Sequence, residues 1–339
     1  HNFKYFKENK SLVLVDIRDK ITPFYKKSSD LRSKKEKTPD FEPLADKLDN
    51  LIFFNGNGGV GDILSVFHLP KLLKKINSNS NVYSANEKYF KQMAKYNLDI
   101  DAEYQKQEKD LYFRVELIQS GFDFGGGHWF QNIQQALGLE MDIKPKADLA
   151  VPNVQKKKGK VIINFTAGAD QARQKREEHP RARELYPEHR ETIQKFINNN
   201  LNKYSFVEVD QKFSGFENVE DKCGMDIDKS IKEIASCEYY LGIINGIMHV
   251  ATALDLKCIT VLNFPSAEKI YLPRLVDLQL PELDWLYPQN VHLHEDDDGE
   301  LVKFLSYENL ERAFDGEIYP FWKEDYISMY PENLGKYYG

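Results

Sequence analysis

The sequence is poor in cysteine and in long apolar runs. Cys223, Cys237 and Cys258 are its three cysteines, and none sits in a CxxC pair. A sparse, odd set excludes a disulfide framework and points to a reducing compartment. No run of about 18 apolar residues occurs, so no segment reads as a membrane span. Residues 1–10 are polar and charged and are not a signal peptide, and the opening on His1 rather than Met reads as a shortened chain. There is no surplus of positive charge either. The net charge is −7 with both signs interspersed, which excludes coating nucleic acid by charge alone. No Lys-Ser/Thr pair follows the glycines at 56–61, which excludes a P-loop.

What remains is enough apolar material for packed cores: 41% hydrophobic and 13% aromatic over 339 residues. Single cores seldom grow past about 250–300 residues, so this length suggests two domains. Residues 11–17 (SLVLVDI) read as a strand. The charge-dense stretch 26–37 is either a solvated linker or helix face, or a basic patch that holds the chain near an anionic membrane. Residues 51–54 (LIFF) are a short buried strand running into NGNGGVG. Apolar residues from Ile63 to Ile76 then recur at helical spacing. Residues 81–83 are the next strand. A second glycine cluster at 125–127 precedes a helix over 128–137.

Residues 151–160 read as a linker, after which strands and helices alternate. Strands fall at 160–165, 204–209, 239–244 and 257–262. Helices fall at 188–197, 227–236 (with Asp228 as a cap) and 246–254. Such alternation with short apolar strands means a parallel sheet covered on both faces. A helix over 304–314 and an aromatic tail complete the chain. The expected class is α/β. The divisions are residues 1–150, residues 151–310, and a tail over 311–339 packed back on the body.

Three segments carry candidate chemistry. Gly56, Gly58 and Gly61 satisfy G-x-G-x-x-G between a strand and a helix. That pattern allows a dinucleotide site, although no clear acid closes the second strand, Glu87 being the nearest. Asp62 follows the last glycine, where it would repel a pyrophosphate. A carboxylate at a helix N-terminus is stabilised as the anion. It either serves as a general base toward a hydroxyl or simply caps its helix. In the second segment, Asn245 and Gly246 lie at a strand-to-helix turn whose amides can cradle a phosphate. His249 stands one turn further on, as a phosphate-side residue or a satisfied core histidine. In the third, Thr166 and Gly168 follow a strand's carboxyl end, where open α/β sheets bind ligands. Arg181 and Arg183 lie among nearby basic residues suited to a diphosphate, or to a solvated loop. His292 and His294 with the following acids suggest a metal, but the acids are nearly contiguous, and the run reads as an acidic turn.

At these residues the chain resembles the heptosyltransferase-like glycosyltransferases, glycosyltransferase family 9, over about residues 51–265. Gly61 and Asp62 resemble the family's N-terminal Gly-Asp turn. Residues 166–187 resemble its GA…K/R…WP segment, with Arg181 or Arg183 in the basic position and Tyr186-Pro187 for Trp-Pro. Asn245, Gly246 and residues 249–254 resemble D-[ST]-G-x-x-H-x-A-A-A-L. Three departures stand out. Ile244 occupies the place of the acid that helps bind the donor sugar, Pro70 arrives two residues late, and the first fifty residues have no counterpart.

The resemblance implies two Rossmann-like domains facing a cleft, the GT-B architecture. It implies an inverting, metal-independent glycosyltransferase that needs no cofactor and takes a nucleotide-sugar as substrate. Asp62 would be catalytic. Thr166, Gly168, Arg181, Arg183, Asn245, Gly246 and His249 would bind the donor, and Gly61, Gly126 and His128 would lie on the acceptor side. The acceptor would be a glycan, a lipid-linked sugar or a protein. The expected place is the cytoplasm, with peripheral contact at the inner face of the membrane, in the service of a bacterial cell-surface glycan. Two other readings stand: an NAD-dependent oxidoreductase using Gly56 to Gly61, and a non-catalytic module that binds a nucleotide-sugar.

Overall fold

A computed structural model describes residues 14–15, 51–55, 59–74, 81–105, 107, 111–114, 146–166, 185, 187–262, 287, 289–294 and 303–318. The described residues divide into two compact units. Those up to Asp148 form the first, and those from Leu149 form the second.

The first unit is a four-stranded parallel sheet. Its strands are β1 (Leu14–Val15), β2 (Leu51–Asn55), β3 (Asn81–Ser84) and β4 (Leu111–Arg114), in the order β1-β4-β2-β3. Helices α1 (Val60–Leu64), α2 (Leu69–Leu73) and α3 (Glu87–Ala94) complete it. The apolar spacing from Ile63 onward predicts one continuous helix, and the structure corrects this to two short ones. Pro70 is the reason. It has no amide to bond the Val66 carbonyl, so a single helix would break there. Instead Val66 O accepts from the Leu69 amide at 3.2 Å, and Pro70 sits in the first turn of a new helix, where prolines fit. Ile63, Leu64, Val66, Phe67 and Leu69 are buried together with Phe90 and Met93 of α3. Phe67 meets Phe90 edge-on, their ring centroids 5.9 Å apart.

The second unit is a seven-stranded parallel sheet. Its strands are β5 (Lys160–Asn164), β6 (Ser205–Glu208), β7 (Val219–Asp221), β8 (Tyr239–Ile243), β9 (Lys257–Leu262), β10 (Val291–His294) and β11 (Lys303–Phe304). Their order is β11-β10-β9-β8-β5-β6-β7. The connecting helices are α4 (Pro187–Asn199), α5 (Ile227–Ala235), α6 (Gly246–Ala253) and α7 (Tyr307–Phe314). Every residue of β5 and β8 is buried, as a parallel sheet covered on both faces requires. Side chains alternate between faces along each strand. Val161, Ile163, Leu241, Ile243, Ile259 and Val261 build one core with Phe196 of α4 and Phe314 of α7. On the other face α6 packs against β8, β9 and α5.

Most ends fall within a residue or two of the sequence reading, but the cap of α5 and the start of α7 differ for a physical reason. α5 is capped by Asp226, whose carboxylate accepts from the Lys229 amide at 2.8 Å, not by Asp228, which pairs with Lys232. α7 starts at Tyr307, capped by Ser306, because Phe304 belongs to the edge strand β11. The last turn of α7 falls within the stretch read as the aromatic tail. Residues 319–339, residues 26–37 and the helix read at 128–137 lie outside the described residues.

Candidate functional site

In the second unit the chain runs from β5 through α4 to β6 on one side of β5, and later returns through α5 to β8 on the other. The carboxyl ends of β5 and β8 therefore form a topological switch point, where connections leave in opposite directions and open a crevice for ligands. Asn164 and Gly242 pair in register there. Thr166 and Asn245 are the residues just beyond them. Gly242 is required at this position: a Cβ would overlap the Asn164 carbonyl oxygen and the Tyr240 phenol. Tyr240 is fully buried, and its hydroxyl donates to the Ile243 carbonyl at 2.6 Å.

Asn245 caps α6. Its Oδ1 accepts from the amides of Ile247 at 2.9 Å and Met248 at 3.0 Å, and its Nδ2 donates to Asn164 Oδ1 and to the Thr166 carbonyl at 3.0 Å. Asn164 Nδ2 donates in turn to the Val209 carbonyl at 2.6 Å. The Thr166 hydroxyl donates to Asp210 Oδ2, and Asp210 Oδ1 accepts from the Gln211 amide at 2.6 Å. The ends of β5, β6 and β8 are thus laced together. The other end of α6 is held by Lys156, whose Nζ donates to the carbonyls of Leu254 and Asp255 at 3.0 and 2.9 Å.

His249 is 2% exposed and its Nδ1 lies 2.7 Å from the Tyr287 hydroxyl. The geometry matches the satisfied core histidine that the sequence left open. Burial holds the Tyr287 and Tyr240 phenols well above the usual tyrosine range, so both stay protonated. Beside Asp210, the buried Glu208 accepts from the Ser214 amide and hydroxyl. Desolvation raises its pKa, and Ser214 opposes that rise.

The first unit has its own switch point, between β2 and β4. There Asp62 is half-buried in α1, and its Oδ2 accepts from the Gly59 amide at 2.9 Å. The carboxylate thus caps its own helix, and Gly61 is buried beside it. Gly126, His128, Gly168, Arg181, Arg183 and the stretch 295–300 lie outside the described residues. Among the described residues, no cluster of three or more His, Cys, Asp or Glu gathers as a metal site, and no helix is long and apolar enough to cross a membrane.

The sequence reading singled out Thr166, Asn245, Gly246 and His249, and the structure brings the first three to one switch point. Asn164 opens the third candidate segment, and neither it nor Asp210, Tyr240 or Tyr287 has a role in the sequence reading. Asn164 and Asp210 both stand at strand carboxyl ends, which was the available signal.

No protein-family model and no curated protein sequence matches the chain. Solved structures do. E. coli heptosyltransferase WaaC with ADP superposes with a TM-score of 0.54 at 11% identity, covering 78% of this chain and 99% of that one. The glycosyl transferase family 9 protein from Veillonella parvula superposes at 0.50 and 11% identity, covering 79% and 96%. The chain is heptosyltransferase-like in fold. The match to the iron-containing dodecameric glycosyltransferase TibC from enterotoxigenic E. coli, at 0.44 and 16% identity, spans 63% of this chain and 59% of that one. The shared fold is the expected pair of Rossmann-like α/β domains, GT-B.

Proposed function

We propose that the chain is an inverting, metal-independent glycosyltransferase whose second unit holds a nucleotide-sugar donor. The observation that carries this is the placement of Thr166 and the Asn245–Gly246 turn beside one another at the β5/β8 switch point. Open parallel sheets bind nucleotides there, and the amide-rich N-terminus of α6 suits a diphosphate. The neighbour crystallised with ADP supports a donor of that class.

In the proposed reaction an acceptor hydroxyl attacks the anomeric carbon on the face opposite the diphosphate. The new C–O bond forms as the bond to the diphosphate breaks, and Asp62 takes the hydroxyl proton. Charge grows on the leaving diphosphate, so preorganised donors contribute most. These would be the Gly246 amide, the Thr166 hydroxyl once Asp210 yields it, and the arginines Arg181 and Arg183. Gly168 would give the loop close approach. Gly61, Gly126 and His128 would stand on the acceptor side. A glycan, lipid-linked or protein acceptor, action at the inner membrane face and a role in cell-surface glycan assembly belong to the same proposal.

Thermal shift against ADP, UDP, GDP, CMP and NAD⁺ tests it. A ligand that binds only the folded chain stabilises by about 2.7 kcal/mol at a hundredfold over its Kd. A rise with one nucleoside diphosphate supports the transferase and names the base. A rise with NAD⁺ alone refutes it. The Gly59–Asp62 hydrogen bond favours a second reading, a module that binds the nucleotide-sugar without transferring it. In that case Asp62 acts as a cap alone.

A further inference from the structure

An asparagine side chain offers four hydrogen-bonding positions, two on oxygen and two on nitrogen. The fold fills all four on Asn245: two helix amides at its oxygen, and Asn164 and the Thr166 carbonyl at its nitrogen. It is 9% exposed. A side chain spent in this way has nothing left for a ligand. Asn164 is engaged at both ends too, accepting from Asn245 and donating to the Val209 carbonyl, and is 2% exposed. Acceptors at known positions fix which atom of each amide is the nitrogen.

We infer that Asn164 is a positioning residue for the donor site, acting through Asn245, and that neither side chain is a donor contact. This rests on the donor reading above. The two amides form a relay across the three chain segments whose order makes the switch point. Val209 directly follows β6, Asn164 ends β5, and Asn245 caps α6 after β8. The relay sets where the first turn of α6 stands relative to Thr166. It spends the Ile247 and Met248 amides on Asn245 and leaves the Gly246 amide, one position earlier, outside that grip. A diphosphate would therefore meet backbone groups whose spacing the relay has already fixed, and binding would not have to order them. The sequence resemblance puts Asn245 where the family has a serine or threonine. Those residues can also cap a helix through oxygen, but they lack the second arm that reaches Asn164.

The test combines amide hydrogen exchange with calorimetric binding of ADP, UDP and GDP, on the full chain well below its melting midpoint. Asn164→Ala removes both ends of the relay. Asn164→Asp keeps an acceptor for Asn245 and drops the donor to Val209. Local opening of the first turn of α6 sets exchange at Ile247 and Met248. Asn164→Ala should speed it by roughly tenfold or more and weaken the bound nucleotide by a similar factor. Amides in α4 should stay as they are. Asn164→Asp should fall between, and it carries the comparison if the alanine variant does not fold. Unchanged exchange at Ile247 and Met248 overturns the relay whether or not a nucleotide binds. Faster exchange with unchanged affinity overturns the positioning role and leaves a structural one. If the wild-type chain binds no nucleoside diphosphate, the donor reading falls and the positioning role falls with it, while exchange still judges the relay.

Discussion

The Tyr287 hydroxyl and His249 Nδ1 lie 2.7 Å apart, and both rings are buried, meeting edge-on with centroids separated by 5.4 Å. The Tyr287 segment also reaches α6 through Asn290, whose Nδ2 donates to Thr252 at 3.0 Å. Two hydrogen bonds one helical turn apart therefore pin one side of α6 to the approach of β10. Tyr287→Phe deletes one of them without changing ring volume. Removing a partner from a buried polar group costs about 1–3 kcal/mol. Urea unfolding should show that loss with an unchanged denaturant slope. A loss below about 0.5 kcal/mol would mean that packing alone holds α6 here.

Gly242→Ala tests how closely β5 and β8 approach at the switch point. Its methyl would overlap the Asn164 carbonyl oxygen, which is backbone, and the Tyr240 phenol, which is fully buried. Neither can swing aside without moving a central strand. Overpacking of this kind costs about 3 kcal/mol or more. The expected outcome is a strongly lowered melting midpoint or insoluble protein. Near wild-type stability would show that the strands have slack there.

His292 gives stability a pH dependence of known sign. Burial lowers its pKa from 6.5 to about 4, while its hydrogen bond to the Tyr287 carbonyl, at 3.0 Å, works the other way. Between those pH values the unfolded chain binds a proton that the folded chain refuses, so stability rises with pH across that window. Above about pH 7 both states are neutral and the effect vanishes. On acidification from pH 7 to 4 the loss should be roughly 3 kcal/mol. Glu208, its pKa raised by burial, acts in the opposite sense. The comparison is therefore wild type against His292→Gln at each pH, and the difference between them should shrink as the pH falls. A constant difference would show that His292 does not titrate on unfolding in this range.

Much of the second unit was legible because its strands are continuous apolar runs bounded by turn residues, and β9 was read at its true ends. β7 (VED) and β11 (two residues) were not, since edge strands this short and charged carry no apolar period. Neither was β10 (VHLH), whose histidines run on into acids and read as an acidic turn although Val291–His294 form an interior strand. Asp226 and Asp228 sit two apart, and only geometry shows that Asp226 is the one that faces the first-turn amides. The helix start after Gly59 and the Asn245–Gly246 turn could be found from strand–turn–helix patterning. Asn164 touching Asn245, 81 positions away, and Thr166 touching Asp210, 44 away, could not. Both contacts follow from the strand order β6-β5-β8, and a single sequence does not contain that order in any local pattern.

Asp62→Asn separates the enzyme from the binding module. The asparagine oxygen can still accept from the Gly59 amide, as Asp62 Oδ2 does at 2.9 Å, so the cap survives in part. Loss of the charge at the helix N-terminus costs about 0.3–1 kcal/mol, and the melting midpoint should fall by only a few degrees. Nucleotide binding belongs to the second unit in the proposal and should be unchanged. Turnover of the sugar donor whose base the thermal-shift panel selects should drop by about 10²–10⁴-fold, the usual contribution of a positioned general base. It should not recover at higher donor concentration. A variant that binds the nucleotide, melts slightly lower and turns over donor at the wild-type rate would leave Asp62 a cap and nothing more. The base would then have to be sought elsewhere in the first unit. If wild type and variant both bind the nucleotide and neither turns over any donor sugar, the module reading replaces the transferase.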